Sequence, residues 1–367
     1  MLRLLPTLFI LGCAAFAADM HPPRFVGSPS CQSSSCHGGG VGRDQVIIWE
    51  KKDPHSRAHA VLATARSSAM AKALGIGDAQ KSARCTVCHS PLQSLPAERL
   101  LAGVQTQKGV SCESCHGPAE PWLLFHTRTD VSHAQRVTAG LRELTDLYAR
   151  ANACVACHLN LDEDLASRGH HPEMFFELDG QMNAEPPHYK DKGTWIGPKA
   201  WLTGQAVSLR ELSWKLSKKE EPTLVPRWQA HLWLLEKTGD LPSALTPQTA
   251  YSQAQSAADQ MARKSAKGTW SKERTSKLLQ LYAGLANEFR DSPLPPAEQV
   301  RRAELLVMAV DRLWNALKKD AGSKSEAVDS TNIELINLAR TQFTFDPKPF
   351  AETLAKLASA LESLPKN

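Results

Sequence analysis

Eight of the nine cysteines fall into four pairs, and each pair is followed at once by a histidine. The four sets are Cys31/Cys36-His37, Cys85/Cys88-His89, Cys112/Cys115-His116 and Cys154/Cys157-His158. Three of them have the C-x-x-C-H spacing that attaches a c-type haem. Two thiols bond to one edge of the porphyrin, and the next residue brings an imidazole under the iron. The first set has four residues between its cysteines and is read as a stretched variant, supported by the other three. A disulfide framework gives no reason for a histidine after every second cysteine. A zinc site would not need the same arrangement four times over. The expectation is four c-type haems, with the eight cysteines as attachment points and His37, His89, His116 and His158 as proximal ligands.

The occupant of each iron's sixth position separates a carrier from an enzyme. Nine histidines remain: His21, His55, His59, His126, His133, His170, His171, His188 and His231. Eight of them precede residue 190, alongside the motifs, which favours ligation over chance. Asp53-Pro54 predicts a helix start that runs to about Leu74 and stops at Gly75. On that helix His55 and His59 share a face, so one can reach an iron while the other meets a propionate or solvent. His126 follows a turn-rich stretch that lets the chain fold back. His171 precedes Pro172 and His188 follows Pro186-Pro187, where proline rigidity suits a ligand held at fixed geometry.

Trp49 to Ala58, followed by Leu62, resembles the helix that supplies a distal histidine in multihaem cytochromes of the cytochrome c-554 type. Gly109 to Pro118 is similar to that family's central haem motif. Gly169 to Leu178 and Pro186-Pro187-His188 look like elements of multihaem relatives. The resemblance covers about residues 25–190. It implies electron transfer between periplasmic redox proteins through closely packed, mostly bis-histidine haems. It matches His55 to the distal position of the helix and puts His59 where an aromatic is usual. His126, His171 and His188 match the later histidines. The stretched first motif and the His170-His171 doublet depart from the pattern, and the doublet leaves the ligand there ambiguous. The rival reading is a multihaem oxidoreductase with one open haem site, acting on a small nitrogen or sulfur compound with His59, His133 or His170 as proton donor. The chain has no C-x-x-C-K motif, which counts against it. A third reading is a structural subunit that docks the haem domain onto a larger complex.

The first residues read as an export signal, with Arg3, an apolar run from Leu4 to Phe16 and Ala15-Phe16-Ala17 as the cleavage pattern. Cys13 only loosely fits a lipid-anchor box, so the bland reading as part of a cleaved signal is preferred. No later stretch reaches about eighteen apolar residues, so no transmembrane anchor is expected. The formal charge of +5 is offset by about −4 from the propionates and irons of four haems, and nucleic-acid binding has no support. The domains expected are a signal at 1–18, a tetrahaem domain at 19–190 and a helical bundle at 191–367. The fold class is mainly α, with short helices and loops around the haems and then the bundle. Within 19–190, Val131 to Arg150 is predicted as one helix. The bundle helices are predicted at Pro198–Leu216, Val225–Thr238, Pro247–Lys264, Lys272–Asp291, Pro296–Lys319, Ser330–Gln342 and Pro349–Leu364. Trp195, Trp201, Trp214, Trp228 and Trp233 cluster near its start and are read as core or as a seam.

Overall fold

The computed structural model describes residues 21–161, 163–170, 176–189, 191, 193–219, 221–241, 251–340 and 344–365. Among these the fold is helical throughout, and the one β-like feature is an isolated parallel bridge between Phe25 and Leu100. The first part consists of short helices joined by turns: α1 (Gln45–Lys52), α2 (Ala58–Val61), α3 (Ala65–Leu74), α4 (Ala83–His89), α5 (Cys112–His116), α6 (His133–Thr138), α7 (Leu147–His158), α8 (Glu163–Ser167) and α9 (Leu178–Ala184). Long helices follow: α10 (Ile196–Lys218), α11 (Val225–Glu236), α12 (Tyr251–Lys267), α13 (Lys272–Ala283), the short α14 (Asn287–Arg290), α15 (Pro296–Ala321), α16 (Glu326–Arg340) and α17 (Pro347–Glu362).

The helix expected from Pro54 to Leu74 is broken in two places. Asp53 caps a short 3-10 turn at Pro54–Arg57 by accepting from the backbone N–H of His55, and α2 begins only at Ala58. The carbonyl of Ala58 then faces the Nδ1 of His89 at 3.0 Å, while the N–H of Leu62 bonds His59. Thr64 restarts the chain as N-cap of α3, which stops at left-handed Gly75 as expected. The helix expected over Val131 to Arg150 is likewise two helices. The chain turns at Gly140, and α7 starts afresh where Asp146 accepts from the N–H groups of Tyr148 and Ala149.

The long helices bury one continuous apolar core. Trp201, Trp228, Trp314, Tyr282, Phe289 and Phe350 lie fully inside it. Each such aromatic removes roughly 150–250 Å² from water, so these few side chains dominate the packing. Trp233 is buried as well and donates to Glu288 (2.7 Å), whereas Trp214 faces solvent. Packing crosses residue 190: Leu147, Ala151 and Val155 of α7, with Phe176 and Leu178 at the start of α9, join this core against α10. The helix that ends in the fourth cysteine motif is therefore braced by the bundle.

His231 lies buried in that core, with its Nδ1 2.8 Å from the carbonyl of Arg227. Burial drives its pKa down to about 4, and the charges of Arg227 and Arg301 oppose protonation further. An unfolded chain takes up this proton near pH 6.5, while the folded one holds off until about 4. Stability is therefore expected to fall as pH drops through that window, by about 3 kcal/mol at most, and to be independent of His231 above it. Urea melts of wild type and His231→Gln should differ in slope only between pH 4 and 6.5; equal slopes there would refute the assignment.

Candidate haem-binding site

Three of the four motifs sit at the C-terminal ends of helices. Each of α4, α5 and α7 ends at the motif histidine itself. A helix places residues three apart on one face and the next residue beside them. That is the geometry needed for two thiols on one porphyrin edge and an imidazole below it. The stretched first motif builds the same local arrangement from turns. Cys36 N–H bonds Ser33 O (2.9 Å), His37 N–H bonds Cys31 O (3.2 Å) and Gly38 N–H bonds Ser33 O (3.0 Å). The chain is so tight that a Cβ on Gly38 would lie 2.0 Å from the carbonyl oxygen of Gln32.

All eight described cysteines are free thiols, so no disulfide framework is present among them. Their sulfurs do not share one thiolate-favouring environment: hydrogen bonds lower Cys36, Cys88 and Cys112, whereas other thiols are raised. Burial pushes the Cys115 thiol up to about 12 and Cys154 up to about 11, whereas thiolate ligation needs the deprotonated form. Among the described residues, the one group of three or more His, Cys, Asp or Glu side chains close enough to share an ion is Asp53, His55 and Glu185, and it contains no cysteine. The motifs nevertheless lie side by side. The thiols of Cys31 and Cys112 interact, as do those of Cys88 and Cys157.

The decisive geometry is in the histidines. His37 faces His126 with ring centres 6.1 Å apart, His158 faces His55 at 6.1 Å, His89 faces His170 at 6.1 Å and His116 faces His188 at 6.4 Å. An iron held between two imidazole nitrogens by bonds of about 2.0 Å would place the ring centres about 6.2 Å apart. Every motif histidine thus has a second imidazole at the separation a six-coordinate metal requires. The residues present fit four c-type haems.

The other ring nitrogens are engaged in ways that aim the rings. The Nδ1 of His37 lies 3.1 Å from Gln45 Oε1, and that of His89 lies 3.0 Å from the Ala58 carbonyl. The Nδ1 of His126 contacts the carbonyl of Leu123, and that of His55 is 2.9 Å from Asp53 Oδ1. With Nδ1 occupied, Nε2 is the nitrogen left for a metal. His188 has Glu185 Oε1 at 3.8 Å from its Nδ1, an ion-pair distance rather than a hydrogen bond. Burial, with the neighbouring His188, His37, Arg142 and His126 charges, pushes His116 down to about 4, so this ring is neutral and able to ligate.

The sequence reading named His55, His126, His171 and His188 as distal candidates. The structure brings His55, His126 and His188 to motif histidines. At the doublet it is His170 that faces His89, while His171 lies outside the described residues. The first twenty residues, with Cys13, also lie outside them. Of the pair thought to share a helix face, His55 sits in the 3-10 turn and reaches His158. His59 lies in α2, is buried, and its Nε2 has no protein partner. His133 pairs with Glu143 near the surface, and His231 is in the bundle core, away from the motifs. The sequence reading missed Glu113, the first residue between the third pair of cysteines. It is buried, and its carboxylate accepts from the backbone N–H groups of Val26, Gly27 and Ala119 at 3.0, 2.7 and 2.7 Å.

Residues 30–117 match the family model for cytochrome c554 and c-prime, and residues 76–159 match that for cytochrome c7 and related cytochrome c. The first match spans the motifs at Cys31, Cys85 and Cys112, and the second spans those at Cys85, Cys112 and Cys154. Neither extends into α9–α17. No curated protein and no solved structure matches the chain.

Proposed function

We propose that the chain is a tetrahaem c-type electron carrier in which every iron has two histidine ligands, a reading supported by the multihaem cytochrome family models that residues 30–159 match. The observation that carries this reading is the set of four facing imidazole pairs at 6.1–6.4 Å, each containing one motif histidine. The proposed axial pairs are His37/His126, His89/His170, His116/His188 and His158/His55. The thioether attachments are Cys31/Cys36, Cys85/Cys88, Cys112/Cys115 and Cys154/Cys157. Iron held between two imidazoles exchanges one electron with little change in geometry. A second imidazole opposite each motif histidine supports a carrier over an oxidoreductase, which needs one position free for substrate. The signal-like start supports export, and haem attachment in an exported chain supports a periplasmic location in this reading. Among the described residues no helix is long and apolar enough to cross a membrane. The partners in this reading are periplasmic redox proteins.

The test is made on the exported holoprotein. Its mass should exceed that of the chain without its export signal by four haems. Low-temperature EPR of the oxidised form should contain only low-spin signals, and the reduced form should not bind carbon monoxide. A high-spin signal with carbon monoxide binding would reveal an open site and replace the carrier reading with the oxidoreductase one.

Asp53 acts on one of these sites in particular. Its buried carboxylate accepts from the Nδ1–H of His55 and would stabilise positive charge on a metal held by that ring. Asp53→Asn keeps the helix cap and the shape but removes the charge. One of four reduction potentials should rise, by roughly tens of millivolts, in a spectroelectrochemical titration. Four unchanged potentials would rule out the coupling.

A further inference from the structure

Neither family match reaches the C-terminal helices, yet the segment that leads to one of the four imidazole pairs packs against them. His188 follows α9, a helix of only seven residues. A helix that short is marginal alone and needs tertiary contacts to hold its place. Those contacts come from the bundle. Leu178, wholly buried, presses on α10 so closely that a Cβ on Gly204 would lie 2.8 Å from the Leu178 Cβ and 2.9 Å from its backbone nitrogen. Glu177 caps α9 by accepting from the N–H groups of Asp179 (3.2 Å) and Gly180 (2.7 Å). The same carboxylate, 2% exposed, accepts from Arg312 Nε at 3.0 Å.

Arg312 stands in the middle of α15 and is fixed by three acids. Besides Glu177 it meets Asp179 Oδ2 at 3.4 Å and donates to Asp311 Oδ2 at 2.6 Å. Asp311 is itself held by Asn315 (3.0 Å) and Asn332 (3.1 Å). A Cβ on Gly180 would come within 2.4 Å of Arg312 Nη2, so the guanidinium lies directly on the first turn of α9. At the other end of α9, Tyr189 donates to the carbonyl of Met182 (3.0 Å) and is covered by the Arg150 guanidinium at 4.9 Å. Arg150 also holds Asp191 with two bonds of 2.9 and 3.1 Å. Between these two fastenings the chain is Glu185-Pro186-Pro187-His188, whose prolines leave little freedom. α9 is a short rigid rod pinned at one end by the bundle and at the other by α7, with His188 at its tip.

We infer that the C-terminal bundle is the positioning brace of a distal ligand: through the Glu177–Arg312–Asp179 clamp, Arg312 holds His188 opposite His116. The inference rests on the axial pairing proposed above. It gives the bundle a role in the redox site itself and makes Arg312 a positioning residue, far in sequence from any haem motif.

EPR and potentiometry of four holoproteins test it: wild type, His188→Gly, Arg312→Met and Arg312→Lys, with the double variant Glu177→Gln/Arg312→Met to relieve the buried acid. His188→Gly marks which low-spin signal belongs to the haem at Cys112/Cys115. Arg312→Met should weaken or lose that same signal, or shift that one potential, while the other three haems and the haem content stay as in wild type. Arg312→Lys should restore it in part. Four unchanged signals and potentials in Arg312→Met would overturn the inference. So would loss of several signals or of haem in both Arg312→Met and the double variant, since the clamp would then be general scaffolding. A His188→Gly protein with all four low-spin signals intact would instead refute the ligand assignment, and the inference with it.

Discussion

Replacing His170 with alanine is expected to turn one of four low-spin haems high-spin, and replacing His171 is expected to leave all four low-spin. The ring of His170 lies 6.1 Å from that of His89, at an interplanar angle of 67°. His89 is itself held by its Nδ1 contact to the Ala58 carbonyl, so its free nitrogen points away from α2. His170 is presented by a short helix and a turn. α8 ends at Ser167, Gly169 has a left-handed φ of 87°, and the N–H of His170 bonds the carbonyl of Leu165 at 3.0 Å. Arg66 of α3 holds the Gly169 carbonyl at 3.2 Å, which ties the turn to the first part of the chain. A two-imidazole iron that loses one ligand becomes five-coordinate or takes up water. The His170→Ala protein should therefore gain a high-spin EPR signal, bind carbon monoxide at one iron when reduced, and show one strongly shifted potential. The opposite pattern, with His171→Ala open and His170→Ala closed, would reverse the assignment.

That doublet marks the limit of what was legible in the sequence. Covalent attachment fixes two cysteines and a histidine within a few residues, so the four motifs stand out in the bare sequence. The imidazole that faces each motif histidine comes from elsewhere in the chain and carries no local signature. His126 returns to face the earliest motif, and His55 faces the last. No spacing rule could foresee that His170 faces His89, because its place is set by the turn at Gly169 and by Arg66 on another helix. The broken helix after Pro54 has a similar cause. Its register is interrupted where the Ala58 carbonyl is turned to His89, a contact between distant residues. His55 and His59 were expected on one face, and the break separates them. Glu113 looked like a filler position inside its motif, and only the fold reveals three backbone donors around it. The bundle was readable because amphipathic periodicity persists over long helices. Pro296–Lys319 was expected and Pro296–Ala321 is observed. Its use as a brace was not, since that depends on Arg312 meeting acids from far earlier in the chain.

Replacing Gly109 with alanine is expected to disturb the haem at Cys154/Cys157, although Gly109 belongs to the run-in of a different motif. Gly109 has φ 69°, and a Cβ there would lie 2.3 Å from the carbonyl oxygen of His55 and 2.8 Å from that of Ser56. The approach is fastened on both sides. Val110 N–H bonds that same His55 carbonyl at 2.9 Å, and Trp49 of α1 donates to the Val110 carbonyl at 3.0 Å. The turn that carries His55 is thus clamped against the segment leading into α5. An alanine methyl cannot be absorbed by a side-chain rotation, because the colliding atoms are backbone oxygens. The left-handed conformation alone costs a non-glycine residue about 1–2 kcal/mol, and the overlap adds about 1–3 kcal/mol more. The cheapest relief is to move the 54–57 turn, which draws His55 from its place opposite His158. Gly109→Ala should therefore be less stable and should lose one low-spin signal, the one removed by His55→Ala. Gly103 separates the two contributions. Its φ is 83°, and a Cβ there meets nothing within 4 Å. Gly103→Ala should carry only the conformational cost of about 1–2 kcal/mol, with four unaltered low-spin signals. If the two alanine variants proved equally stable and spectroscopically alike, the close approach at His55 would not be what holds this ligand.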